Sequence, residues 1–261
     1  MKITAMIVCY NEQDFIGYCL ESIKDIVDEI VICDGGSTDT TITTIKNLKE
    51  QLQKTKVEIF FDNKRDDYSY IRNECLKRAT GDWILWVDAD EILANIDGSP
   101  VTREQLEKLI NSIPNALSYD LFTFHFLYNY RWIDGRLDGR HWSMDRIFKR
   151  VVSHKNNLDI TIDRNVQFVR PMHEVIQWYP EDENYHSRSK SELVIWHFGG
   201  CKTLEATRRK YAQNMRVFPA FFEKQIGIKD VNEYCRIHEL FRMTRPMILY
   251  EGPLPQIMKL W

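Results

Sequence analysis

Gly81-Asp82-Trp83-Ile84-Leu85-Trp86-Val87-Asp88-Ala89-Asp90-Glu91 passes from an apolar run straight into three carboxylates within four positions. The apolar part reads as a buried strand. A carboxylate withdrawn from water without a partner costs several kcal/mol and tends to neutralise, so something cationic is expected where this strand ends. Hard divalent ions such as Mg2+ or Mn2+ prefer carboxylate oxygens and commonly take one or two of them together with substrate phosphates. The stretch therefore predicts a strand-end metal site that holds a phosphorylated ligand.

Upstream, Ile3 to Cys9 reads as a further buried strand, and Glu29 to Cys33 and Lys56 to Phe61 read as two more strands. Between them the apolar period changes to that of helices. Phe15, Cys19, Leu20 and Ile23 share one face of the first, which is expected from Asn11 onward, and Ile42, Ile45, Leu48 and Leu52 mark a second from Thr40. Ile71, Cys75, Leu76 and Ala79 mark a third over Ile71 to Ala79. Strict alternation of strand and helix predicts a mostly parallel sheet with helices on both faces. In such a sheet ligands sit outside the carboxyl ends of the strands. The polar tips Tyr10-Asn11-Glu12, Asp34-Gly35-Gly36, Asp62-Asn63 and Asp88-Ala89-Asp90 should then share one rim.

Downstream of Glu91 the pattern changes. Thr102-Arg103-Glu104-Gln105 has capping-box form and opens a helix through about Asn111. Tyr119 to Tyr130, Arg146 to Val152, Val166 to Arg170 and Leu193 to His197 read as strands, Thr203 to Phe222 as a helix and Val231 to Tyr250 as more helix. The expected organisation is an α/β half over residues 1–95 and an α+β half with C-terminal helices over residues 96–261, within one catalytic domain.

The bulk properties exclude several classes. A net charge of −3 gives no electrostatic argument for nucleic acid or anionic membrane. The six cysteines are scattered without metal-ligand spacing, and Cys9 and Cys33 fall inside strands, which suits a reduced core. No apolar run approaches the roughly 20 residues of a spanning helix, and the start lacks a small-residue cleavage site. The expected location is cytoplasmic, at most peripheral to a membrane.

Several individual residues carry more than one reading. Asp34 either contacts a ligand or forms a turn by bonding its own backbone. Asp39 reads as a helix cap. Arg72 neutralises phosphate, pairs with Asp34, or is a solvated helix residue. Asp88 and Asp90 alternate along an extended chain, which would send both side chains to one side, toward one ion or an ion and a ribose. His197 is a structural strand-end residue or the third metal ligand, and Glu174 a surface glutamate or a general base.

Four of these segments, in order, carry a resemblance. Ile7-Val8-Cys9-Tyr10-Asn11-Glu12, Asp34-Gly35-Gly36-Ser37-Thr38-Asp39-Thr40-Thr41, Arg72-Asn73 and Trp83 through Glu91 resemble the signature segments of family two nucleotide-sugar glycosyltransferases with the GT-A fold. The Asp-Ala-Asp-Glu form looks closest to bacterial lipopolysaccharide-core and related glucosyltransferase-like members. Asp145-Arg146-Ile147-Phe148, Met172-His173-Glu174 and Trp196-His197-Phe198-Gly199 resemble weaker markers of the same group.

The resemblance implies inverting transfer of a sugar, usually from a UDP-sugar, with Mn2+ or Mg2+, to an acceptor hydroxyl on a saccharide, lipid-linked sugar or modified macromolecule. By position it implies Asp34 on the nucleotide base with Tyr10, Asn11 and Glu12 nearby, and Arg72 on base or diphosphate. Asp88 would serve ribose or metal and Asp90 the metal, with His197 the candidate to complete the coordination. Glu174 is the expected base and Asp145 the second choice. Gly35 stands where many relatives carry an acidic residue or a serine. The rival from another class is a non-catalytic nucleotide-sugar or glycan-binding module.

Overall fold

Along an extended chain alternate side chains face opposite sides, and β1 (Ile3–Cys9) sorts accordingly. Ile3, Ala5, Ile7 and Cys9 enter one apolar cluster, whereas Met6 enters a second, with Val8 packed against it. Both faces of the strand are covered, which is why its sequence is nearly continuous in apolar residues. In the computed structural model, residues 1–52, 54–64, 66–114, 116–127, 130–134, 140–155, 161–169, 175–179, 186–188, 192–217, 230, 233, 236 and 247–259 are described.

Helix α1 (Ile16–Ile23) and, after β2 (Glu29–Asp34), helix α2 (Thr41–Gln51) supply Ile16, Cys19, Leu20, Ile23, Ile45 and Leu48 to the first cluster. After β3 (Lys56–Phe61), helix α3 (Tyr68–Arg78) supplies Ile71, Cys75 and Leu76 to the second. With β4 (Trp83–Trp86) the strands lie in the order β3-β2-β1-β4, all parallel. This order reverses direction at β1, so the crevice outside the carboxyl ends of β1 and β4 is the place where such sheets take ligands.

Two helix starts differ from the sequence expectation for reasons visible in the backbone. α1 begins at Ile16 rather than Asn11, because Asn11 is left-handed, with φ 53°, a conformation Asn tolerates better than most residues. α3 begins earlier than Ile71, because Asp67 accepts the Tyr70 N–H at 3.0 Å as a helix cap.

At the opposite ends of the strands a buried carboxylate holds the sheet together. Glu29 accepts from Thr4 Oγ1 at 2.7 Å, Thr80 N–H at 2.7 Å, Thr80 Oγ1 at 2.9 Å and Lys56 Nζ at 2.8 Å. Burial pushes its carboxyl up, but the bonds from Lys56, Thr4 and Thr80 outweigh it and hold the group down to about 2.

The remaining elements are β5 (Glu91–Asn95), α4 (Arg103–Ile110), β6 (Ser118–Leu127), β7 (Trp132–Asp134), β8 (Arg140–Lys149), β9 (Val151–Lys155), β10 (Thr161–Val169), β11 (Val175–Tyr179), β12 (His186–Arg188), β13 (Leu193–Gly200), α5 (Leu204–Val217) and β14 (Met247–Leu249). The capping box at Thr102 and Gln105 is present as expected. The single strand expected over Arg146 to Val152 is two, divided at Arg150, whose side chain reaches Gly81 O at 2.9 Å. Met247–Leu249 is a strand rather than part of a helix, because it pairs antiparallel with β7.

The chain forms two units. The first comprises Met1–Thr123, Trp142–Trp196 and Pro253–Trp261. In it β8 extends the parallel sheet by pairing antiparallel with β4. A second sheet, β11-β10-β9, is antiparallel. Asn73 of α3 clasps its middle strand, donating to Phe168 O at 2.9 Å and accepting from Phe168 N–H at 2.8 Å. The second unit comprises Phe124–His141 and His197–Gly252 and is built on stacked aromatics. Phe126 and Phe198 lie 4.9 Å apart between centroids, with Tyr250 edge-on to Phe126 at 5.3 Å. Among the described residues no helix is long and apolar enough to cross a membrane.

Candidate active site

β4 ends at Trp86, and the chain then turns, with Glu91 N–H donating to Asp88 O at 3.0 Å. Extended alternation therefore does not reach Asp90, contrary to the sequence expectation; a turn, not a strand, carries the Asp-Ala-Asp segment. Trp86 belongs to the α3 side of the sheet, and α3 turns Arg72 to its buried face beside Ile71 and Leu76. The Arg72 guanidinium consequently lies 4.2 Å over the Trp86 ring and donates to Asp88 Oδ1 at 2.9 Å. Trp86 Nε1 donates to the same oxygen at 3.0 Å. Arg72 is thus not a solvated helix residue. Burial raises the Asp88 carboxyl, but Arg72 and then Arg146 more than offset this and hold it at about 2, a charged group. The Asp88 side chain stays one-third exposed, at 33%.

Asp90 and Glu91 are buried. Glu91 Oε1 takes Arg146 Nη2 at 2.7 Å and Oε2 accepts the Asp88 N–H at 2.9 Å. Burial pushes the Glu91 carboxyl up to about 7, outweighing the neighbouring Arg146, which pulls it down. Arg146 also lies 4.8 Å over the Trp86 ring. The sequence reading counted Glu91 among three strand-end carboxylates and Arg146 within a weaker family marker, but gave neither of them, nor Trp86, a role of its own. The available signal was an arginine directly before Ile147 and Phe148, both fully buried, since a buried guanidinium requires a carboxylate. The preceding residue, Asp145, is buried and left-handed, φ 56°. Its N–H donates to Asp120 Oδ1 at 3.0 Å. A non-glycine residue held in this region stores strain that surrounding contacts must sustain.

The other part of the rim is built around Asp34, which is buried. Its Oδ2 accepts Gly36 N–H and Ser37 N–H, each at 2.9 Å, and its Oδ1 accepts the Ser37 hydroxyl at 2.5 Å. The turn-forming role of Asp34 is thus realised. Asn11 joins the loops after β1 and β2: its N–H donates to Ser37 Oγ at 2.9 Å and its Oδ1 accepts Thr38 N–H at 2.8 Å. Glu12 N–H donates to Thr41 Oγ1 at 2.8 Å. Asp39 accepts the N–H of Thr41, the first residue of α2, at 3.0 Å, but the N-cap position is Thr40, one residue later than the sequence expectation. Tyr10 is half-buried at the end of β1.

Glu174 lies outside the described residues, as does His173. His197 belongs to the second unit, where its Nδ1 lies 3.0 Å from His125 Nδ1. Among the described residues no group of three or more His, Cys, Asp or Glu side chains could hold a metal ion. The carboxylates of Asp88 and Asp90 nonetheless suit an ion that takes one or two protein oxygens and completes its shell with phosphate, as Mg2+ does.

The chain matches the model of the family described as Glycosyl transferase family 2 over residues 4–176. It is 40% identical over 101 residues to the SPbeta prophage-derived glycosyltransferase SunS of Bacillus subtilis, covering 39% of this chain and 23% of that protein. It is 26% identical over 130 residues to the lipopolysaccharide core biosynthesis glycosyltransferase LpsC of Rhizobium meliloti, covering 50% of this chain and 45% of that protein. The crystal structure of S. aureus TarS superposes with a TM-score of 0.37 at 26% identity, over 50% of this chain and 23% of that one. The match spans about a quarter of the length of the first of these relatives.

Proposed function

The chain belongs to glycosyl transferase family 2, and from that premise we propose that it transfers a sugar, with inversion, from a nucleotide diphosphate sugar, a UDP-sugar in our reading, to an acceptor hydroxyl. The observation that carries the proposal is the Arg72–Asp88 ion pair at the ligand-binding end of the sheet, on the turn that also bears Asp90.

In this reading the loop shaped by Asp34 and Asn11, with Tyr10 and Glu12, receives the nucleoside. Arg72 and Asp88 orient ribose and diphosphate, and Arg72 contributes positive charge as the phosphate oxygen leaves. Asp90 and Asp88 would hold Mn2+ or Mg2+, with phosphate oxygens completing the shell; His197, the third ligand expected from sequence, belongs to the other unit and pairs with His125. Such an ion, when bound, acts as a Lewis acid on the leaving diphosphate. Glu174, or Asp145 in its place, takes the proton of the acceptor hydroxyl, whose oxygen forms a bond to the anomeric carbon on the face opposite the leaving group. The bond from that carbon to the diphosphate oxygen breaks, and the configuration inverts. The acceptor is a saccharide, a lipid-linked sugar or a modified macromolecule.

The experiment is a panel of nucleotide sugars with and without Mn2+, read as nucleotide diphosphate release and as product mass. UDP release from a UDP-sugar with Mn2+ is expected. Silence across the whole panel with a folded protein would instead favour a nucleotide-sugar-binding module.

A further inference from the structure

The turn that carries Asp88 and Asp90 is closed twice by one residue. Glu91 donates its backbone N–H to the Asp88 carbonyl at 3.0 Å, and its side chain returns to accept the Asp88 N–H at 2.9 Å. Both backbone polar groups of Asp88 are therefore held by Glu91. The second side-chain oxygen of Glu91 is fixed by Arg146 at 2.7 Å, and Arg146 also faces the Trp86 carbonyl, at 3.5 Å. Glu91 is 1% exposed, so it does not present its charge to a ligand in the rim.

A buried ion pair is by itself weak evidence of a stabilising role. Replacing a buried ion pair by apolar side chains of similar volume is commonly neutral or stabilising, because each ion loses its hydration. What the pair does supply is geometry, since charged hydrogen bonds are short and directional.

We propose that Glu91 and Arg146 are positioning residues that set the shape of the Asp88–Asp90 turn, so that its two carboxylates converge on a divalent cation. The proposal rests on the reading of this rim as a metal–diphosphate site. Glu91 acts through the Asp88 N–H, and Arg146 acts through Glu91. The Asp88 carbonyl also accepts from Cys19 Sγ of α1, at 3.4 Å, whereas the acceptor for the Asp88 N–H is the Glu91 side chain.

The test compares two double variants that bury no unpaired charge. Glu91→Leu/Arg146→Met removes the acceptor for the Asp88 N–H, whereas Glu91→Gln/Arg146→Met keeps one in the amide carbonyl. Mn2+ uptake is followed by loss of the free-ion signal in electron paramagnetic resonance, with UDP present, and folding by thermal melting. The expected result is a tenfold or larger loss of Mn2+ affinity in the Leu/Met variant and recovery to within threefold of the parent in the Gln/Met variant. Parent-like affinity in a folded Leu/Met variant overturns the proposal, as does a folded Gln/Met variant that binds no better than Leu/Met. If Leu/Met does not fold, Arg146→Lys decides: its shorter point charge should cost threefold or more in Mn2+ affinity, and unchanged affinity overturns the positioning role. A parent protein that takes up no Mn2+ with UDP overturns the donor-site reading itself, and this proposal with it.

Discussion

Arg72 on α3 donates to Asp88 at 2.9 Å while its guanidinium lies 4.2 Å over the ring of Trp86. Helix and acidic turn are thereby joined through one planar cation whose orientation is set by an aromatic face. Arg72→Ala should lower kcat/KM for the nucleotide sugar by about a hundredfold, the scale for loss of one preorganised group that stabilises a leaving oxyanion. Arg72→Lys should restore only part of it, because an ammonium can neither stack flat on Trp86 nor reproduce the fork. Initial rates of nucleotide diphosphate release measure both; a fully active lysine variant would show that charge alone suffices.

The network at the far end of the sheet gives a pH dependence separate from catalysis. Glu29 is held at about 2 when folded against an ordinary 4.5, so its ionised form favours the folded state. Its contribution is fully present above the unfolded value and is lost as pH falls from near 4.5 toward 2. Glu29→Gln, which presents an amide NH2 to the donors of Thr4 and Thr80, should melt lower than the parent at pH 7. The gap should narrow as the parent is acidified through that window. Thermal melts at several pH values read this directly, and a gap that is constant from pH 7 to 2.5 would argue against a charged Glu29.

How much of this was legible in the sequence depends on how far apart the partners lie. Three of the four parallel strands, β1, β2 and β4, were readable because they are buried on both faces and largely apolar, as Ile3–Cys9 and Trp83–Trp86 show, whereas the edge strand β3 is only partly buried. The helix start near Asp39 was readable to within one residue because Asp39 bonds Thr41, two positions on, although the N-cap itself is Thr40. For Asp34 the sequence left turn and ligand open, and the structure adds three donors from Gly36 and Ser37 without removing the question of the nucleotide. β5 escaped notice because it is five residues long and starts on a charge. The Arg146–Glu91 pair escaped because its members are 55 residues apart and no local pattern links them.

The proton acceptor is tested by two carboxamides. Glu174→Gln should abolish transfer while donor affinity stays within about threefold of the parent, since loss of a general base removes rate rather than ground-state binding. Asp145→Asn should retain more activity than Glu174→Gln. Transfer assays paired with UDP binding by calorimetry distinguish the two. An active Glu174→Gln beside a dead, folded Asp145→Asn would move the base to the strained residue on β8.

The account stands most directly on Asp90. The measurement is UDP release from a UDP-sugar by the parent and by Asp90→Ala, each titrated with Mn2+, with melting curves to verify folding. The predicted result is an Mn2+-dependent rate in the parent that falls by about a thousandfold or more in the variant without loss of the folded transition, because the variant lacks the carboxylate proposed to carry the ion that acts on the leaving diphosphate. Near-normal, Mn2+-dependent turnover in folded Asp90→Ala would contradict it.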